Sequence, residues 1–259
     1  MRPEPSLIQP LKLSNKTTAV HYYQFKPFNE HIDYGFGGYA NAFKHAADDL
    51  LEKKRDGELF LDMHLPINYL YRHSIELYLK SIIIILHRTL KIKFGENKSD
   101  AFPQIRYKGK WKNIDSVHWI KALFDYFMEF VHNNRSKIRK YPIEDLLNPP
   151  NSLVAKIEFI NNIDMNSTYL RYPDIRNQKE EAKKSAFQRD DKVPGSIKIS
   201  PVDNPQKIFL EFDENDDVTN SYVYNRDPFP ELSQNLKNVA DIMESTHHAI
   251  RMAFTQGES

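Results

Sequence analysis

The stretch Leu65-Pro-Ile-Asn-Tyr-Leu-Tyr-Arg-His-Ser-Ile-Glu-Leu-Tyr-Leu-Lys-Ser-Ile-Ile-Ile-Ile-Leu86 limits what this chain can become more than any other. It is apolar on nearly every side at helical spacing, and a helix of that kind belongs at the centre of a bundle. Yet Arg72, His73, Glu76 and Lys80 stand in its middle. Charged side chains leave water only when paired, because an unpaired buried charge costs several kcal/mol or more. Arg72 and Glu76 are four residues apart, as are Glu76 and Lys80, so the three share one face and can form a ladder. The charges also argue for burial in protein over burial in lipid.

The flanking sequence supplies the rest of a bundle. Gly35, Gly37 and Gly38 precede a helix expected from about Tyr39 to Lys54, with Ala42, Phe43, Ala46, Ala47, Leu50 and Leu51 in an i, i+3/i+4 rhythm. The Gly-Phe-Gly-Gly string reads as a flexible start to that helix, since no strand leads into it as a phosphate-cradling loop would require. The central helix is expected from near Glu58, with a kink or restart at Pro66, to about Leu90. A third helix is expected from Ser116, acting as N-cap, through His118 to about Asn133, striped by Trp119, Ile120, Leu123, Phe124, Phe127 and Phe130. A fourth follows Ser152 to about Asn161. A last one, from about Leu232 to Phe254, sets Leu236, Val239, Ala240, Met243, His247 and Ile250 on one face.

Two regions break the helical pattern. Residues 88–112 read as a loop in which Lys108, Lys110 and Lys112 alternate with Tyr107 and Trp111, around a hairpin signal at Lys108-Gly109-Lys110. Cations interleaved with aromatics suit a single-stranded nucleic acid, whose phosphates and bases they can meet in turn; a solvated loop is the other reading. Arg135, in Arg135-Ser-Lys-Ile-Arg-Lys140, adds a second basic patch at a helix C-terminus, where cations are favoured in any case. Residues 193–226 carry alternating segments, Ser196–Ser200 and Lys207–Phe212, with Ser221–Tyr224 as a third. The acidic run Asp213–Asp217 reads as turn chemistry, because its spacing does not match a calcium loop. Residues 178–191 read as an exposed polar loop.

A net charge of +1 gives no global pull toward nucleic acid. With no cysteine there are no disulfides, thiolate metal sites or cysteine nucleophiles. The histidines form no His-Glu-x-x-His pattern, so no metal and no cofactor is expected. With 14 Tyr and 16 Phe, core material is ample despite a low mean hydropathy. No apolar leader follows Met1, and the expectation is a cytoplasmic protein with no membrane partner.

Tyr71-Arg-His-Ser-Ile-Glu-Leu-Tyr-Leu-Lys80 resembles the helix signature of HEPN-type (higher eukaryotes and prokaryotes nucleotide-binding) bundles, with its Glu-Leu-x-Leu-Lys core. Leu65-Pro66, Val117-His118-Trp119 and Arg171-Tyr172-Pro173 extend the resemblance over roughly residues 36–175. It implies a mainly α, up-down helical bundle over about 36–175 and 231–255; the strand-patterned stretch near 193–226 lies outside the resemblance and is expected as a small antiparallel β insertion in the same single domain. It also implies an RNA-acting defence or toxin protein, a metal-independent RNase working as a homodimer or with a companion protein. The residues that could serve such chemistry are Arg72, His73 and Glu76, with His118 and Arg171 as helpers; the basic–aromatic pattern makes Lys108, Lys110, Trp111, Lys112 and Arg135 the RNA-binding set. The family's Arg, four to six residues, then His does not occur here; His132-Asn-Asn-Arg135 holds the pair reversed and closer. The alternative is a non-catalytic nucleotide-binding, RNA-binding or assembly module, in which Arg72, His73 and Glu76 hold the bundle together or recognise a nucleotide.

Overall fold

The computed structural model describes residues 26–55, 62–95, 103–143, 150–189 and 207–255. Among these residues the structure is mainly helical, with two small antiparallel sheets. The helices are α1 (Phe36–Arg55), α2 (His64–Thr89), α3 (Ile120–Asn133), α4 (Arg135–Ile138), α5 (Asn151–Ile163), α6 (Gln178–Ala182) and α7 (Pro230–Thr255). The strands are β1 (Gln104–Tyr107), β2 (Lys110–Asn113), β3 (Phe187–Arg189), β4 (Lys207–Phe212) and β5 (Val218–Tyr224).

Helix α2 is the axis of the molecule. It packs on α1, α7 and α3, and every residue from Ser74 to His87 is buried. Pro66 causes no kink, because it falls in the first turn of α2, where backbone N–H groups have no partner within the helix. The expected start near Glu58 lies outside the described residues. Helix α7 delivers its predicted face: Leu236, Val239, Ala240, Met243, His247 and Ile250 are all buried.

Helix α3 starts later than its sequence suggests. Ile114–Ser116 form a 3-10 turn, and Ser116 spends its hydroxyl on the Asn113 carbonyl at 2.7 Å instead of capping α3. Val117 is buried in an extended conformation, so His118 stands on the strand-like approach to α3, outside the helix. That difference fixes where its ring can reach.

The 88–112 region contains an ordered hairpin. β1 pairs with β2, Arg106 opposite Trp111, around Lys108-Gly109, both at positive φ as tight hairpin turns require. The second sheet has the order β3-β5-β4 and begins at Phe187, earlier than expected. The expected strand Ser196–Ser200 lies outside the described residues. Asp213 organises the β4–β5 turn, accepting from the N–H groups of Asn215 and Asp217 at 2.8 and 2.9 Å. Residues 178–189 of the expected polar loop are more regular than a loop, since they contain α6, whose N-terminus Asn177 caps, and β3.

Candidate functional site

The four-residue spacing on α2 sets Arg72, Glu76 and Lys80 along one buried face. Arg72 donates from Nη1 to Glu76 Oε2 at 2.5 Å and from Nε to Asp164 Oδ2 at 2.8 Å, and its Nη2 bonds the His118 carbonyl. Lys80 Nζ donates to Glu76 Oε1 at 2.9 Å and to the Asp115 carbonyl at 3.2 Å. The two α2 cations thus fix the backbone of the Asp115–His118 segment and with it the position of the His118 ring.

Two more groups reach the same carboxylate from outside α2. His118 Nδ1 lies 2.9 Å from Glu76 Oε1, and Arg171 Nη2 lies 3.5 Å from Oε2. Three permanent cations therefore face two carboxylates, Glu76 and Asp164, which leaves a surplus of one positive charge. Burial on its own would raise the Glu76 carboxyl; Lys80 and Arg72 outweigh it and hold the group at about 2. Glu76 stays ionised and can orient His118 through an Nδ1–H bond. That leaves the other ring nitrogen, Nε2, as the basic one, with no partner among the described residues. The His118 side chain is 45% exposed, so this nitrogen serves a group arriving from solvent. Among the described residues, the Arg171 side chain makes one long hydrogen bond, to Glu76, and its buried Nε has no hydrogen-bond partner.

His73 is placed differently. It is one residue past Arg72 and therefore turned off the ladder face, stacked on Tyr69 (5.7 Å, 7°) and edge-on to Phe43 (4.7 Å, 69°). Burial first, then the nearby Arg171, Arg72 and Lys80, push its imidazole down to about 4 against the opposing pull of Glu76. It is neutral at pH 7, and its Nδ1 is buried without a hydrogen-bond partner. The structure thus gathers Arg72, Glu76, His118 and Arg171 around one carboxylate and leaves His73 among aromatics. It also adds two residues that sequence reasoning left out of the site. Lys80 was visible in the ladder; Asp164, just past the end of α5, had no signal beyond being a lone acid.

The basic hairpin adjoins this site through Trp119, the neighbour of His118. Trp119 stacks on Tyr107 (4.9 Å, 19°), and Lys112 lies over both rings, 4.7 Å from Trp119 and 5.5 Å from Tyr107. Lys108 sits 5.1 Å from the Tyr107 ring, and Lys110 is exposed beside the turn. Trp111 turns inward, edge-on to Tyr126 at 6.5 Å, and packs against the core. Arg135 lies beyond the far end of α3, a helix about 20 Å long at 1.5 Å per residue, and His118 lies before its start.

A second His–Arg–carboxylate set lies within the core. Asp33 Oδ1 is 2.8 Å from Arg251 Nη2, and its Oδ2 accepts from Ser81 at 2.5 Å and from the Gly37 N–H at 2.9 Å. Arg251 Nε also donates to His247 Nε2 at 3.3 Å. All four side chains are buried.

No family model, curated protein or solved structure matches the chain. Among the described residues, no group of three or more His, Asp or Glu side chains is disposed to hold a metal ion, and no helix is long and apolar enough to cross a membrane.

Proposed function

We propose that the chain is an RNA-acting protein of HEPN-like, up-down bundle type that cleaves RNA without a metal, with His118 as its acid/base. The observation that carries this reading is the 2.9 Å bond from Glu76 to His118 Nδ1 on a half-exposed ring, within a cluster carrying surplus positive charge. A carboxylate-oriented imidazole with an accessible Nε2 is what proton abstraction from a ribose 2′-hydroxyl needs. The 2′ oxygen then attacks phosphorus, the bond to the 5′ oxygen breaks, and that oxygen leaves with a proton from water. The charge that builds on the phosphoryl oxygens falls beside Arg171, whose guanidinium has donors to spare. Arg72 and Lys80 act behind Glu76 as positioning residues. The hairpin cations Lys108, Lys110 and Lys112 extend the positive surface past Trp119 along a path for the phosphate backbone. A defence or toxin role, in the cytoplasm and as a homodimer or with a companion protein, is the setting that the family resemblance suggests.

The test is incubation of the purified protein with total RNA in chelator, beside His118→Ala and His73→Ala. Wild-type cleavage is expected to fall about 100- to 10,000-fold in His118→Ala. His73→Ala should keep most of it. Undiminished cleavage by His118→Ala would remove the proposed base. One observation favours the second reading, a binding or assembly module: the donors of Arg72 are directed at Asp164, Glu76 and the His118 carbonyl, as in a cluster built for stability. Absence of cleavage by the wild type would favour that module.

A further inference from the structure

Arg171 faces two ways. One side of its guanidinium meets Glu76; the other helps to line a cleft of about 470 Å³ formed with Leu65, Pro66, Tyr69, Leu170 and Tyr172. The Arg171 guanidinium carbon lies 6.0 Å from the centre of the Tyr69 ring, and Tyr69 is braced behind by its stack on His73. Tyr172 is 64% exposed, a large aromatic ring left in water at the mouth of the cleft. Two tyrosines, one arginine and an apolar floor of leucine and proline make a poor site for a bare phosphate. They suit a flat heteroaromatic ring that stacks on tyrosine and presents an acceptor to the guanidinium.

We infer that the Tyr69–Arg171–Tyr172 cleft is a subsite for one unstacked nucleobase of a single-stranded nucleic acid. The inference rests on the reading of His118 and Arg171 as the phosphate-facing groups, because Arg171 joins the two compartments. A base in the cleft puts its own backbone phosphate within reach of Arg171 and, across the Glu76 carboxylate, toward His118. A duplex cannot supply that base without unpairing it, so the site selects single strands by geometry.

Binding can be measured without chemistry, using a fluorescent single-stranded 2′-deoxy oligonucleotide that lacks the attacking hydroxyl. Wild type is expected to bind it and to bind the same sequence as a duplex at least tenfold more weakly. Because Tyr172 is exposed, Tyr172→Ala should fold normally and lose about 5- to 100-fold in single-strand affinity, the range typical of one base–aromatic stack. Tyr172→Phe, which keeps the ring, should bind as wild type. Equal affinity of Tyr172→Ala and wild type, no single-strand binding by wild type, or equal binding of duplex and single strand would each overturn the subsite. His118→Ala separates the two proposals. Oligonucleotide binding that survives with no RNA cleavage by any variant leaves the subsite standing and removes the nuclease reading.

Discussion

Two carboxylates in this protein have nearly the same company and opposite situations. Asp33 has Arg251, His247 and Ser81; Glu76 has Arg72, His118, Lys80 and Arg171. Both are held below the ordinary carboxylate range, Asp33 far below it, because adjacent cations and hydrogen bonds overcome the effect of burial. The difference is the histidine. His247 is buried beside Asp33, and burial above all pushes it down, so it stays neutral and serves as packing with a polar edge. His118 holds its carboxylate from the rim. The same three residue types make a structural rivet in one place and a site open to solvent in the other, and what separates them is one ring's access to water.

Breaking each hub tests that contrast first. Asp33→Ala removes the carboxylate beside Arg251, and Glu76→Ala leaves Lys80 without its carboxylate and Arg72 with Asp164 alone, so each is expected to cost roughly 3–5 kcal/mol in chemical denaturation. An unchanged midpoint in either variant would mean that the cluster contributes nothing to the fold. Next is Gly37→Ala, which affects only the sealed hub. An added Cβ would collide with the His247 ring and lie 2.8 Å from Asp33 Oδ2. Overpacking of that kind costs about 1–3 kcal/mol, partly offset by the better helix propensity of alanine. His118→Ala should be the mildest of these changes, at about 1 kcal/mol or less, because Glu76 keeps three other partners. A loss as large as that of Glu76→Ala would place His118 with the rivets.

Acid separates the groups further. The His73 imidazole titrates at about 4 in the fold, below its ordinary value of 6.5, so the unfolded chain binds the extra proton first. Its contribution to stability is complete above about pH 6.5 and is lost as the pH falls through about 4. The Glu76 contribution is complete above its ordinary value of 4.5 and is lost as the pH falls toward about 2. Unfolding free energies measured across this range should therefore decline in two stages, and His73→Phe should shrink only the upper one, leaving the share that buried His247 contributes. A single decline below pH 4.5 in wild type would contradict the placement of His73.

Local pattern carried much of the fold and little of the site. The Arg72–Glu76–Lys80 ladder and the buried face of α7 are set by helical spacing alone, so both were legible. His118 was assigned to a helix because Ser116 looks like a cap. Its true position depends on a hydroxyl that bonds backward to Asn113 and on Arg72 holding the His118 carbonyl. Asp164 and Asp33 were invisible for the same reason: each meets its partner across a long sequence separation, and no spacing rule encodes that. His73 illustrates the converse. Adjacency to Arg72 in sequence suggested shared chemistry, while the 100° step of a helix turned its ring toward Phe43 and Tyr69.

The site's central carboxylate stands on the most deeply buried helix among the described residues, and this has a consequence for how the molecule breathes. Amide protons of α2 around Glu76 should exchange with solvent only when the whole bundle opens, whereas the extended Val117–Trp119 approach can open alone. A nucleic acid held between His118 and Arg171 would slow exchange in that approach first. The Arg72–Lys80 turns beneath should already exchange at the global limit, bound or free.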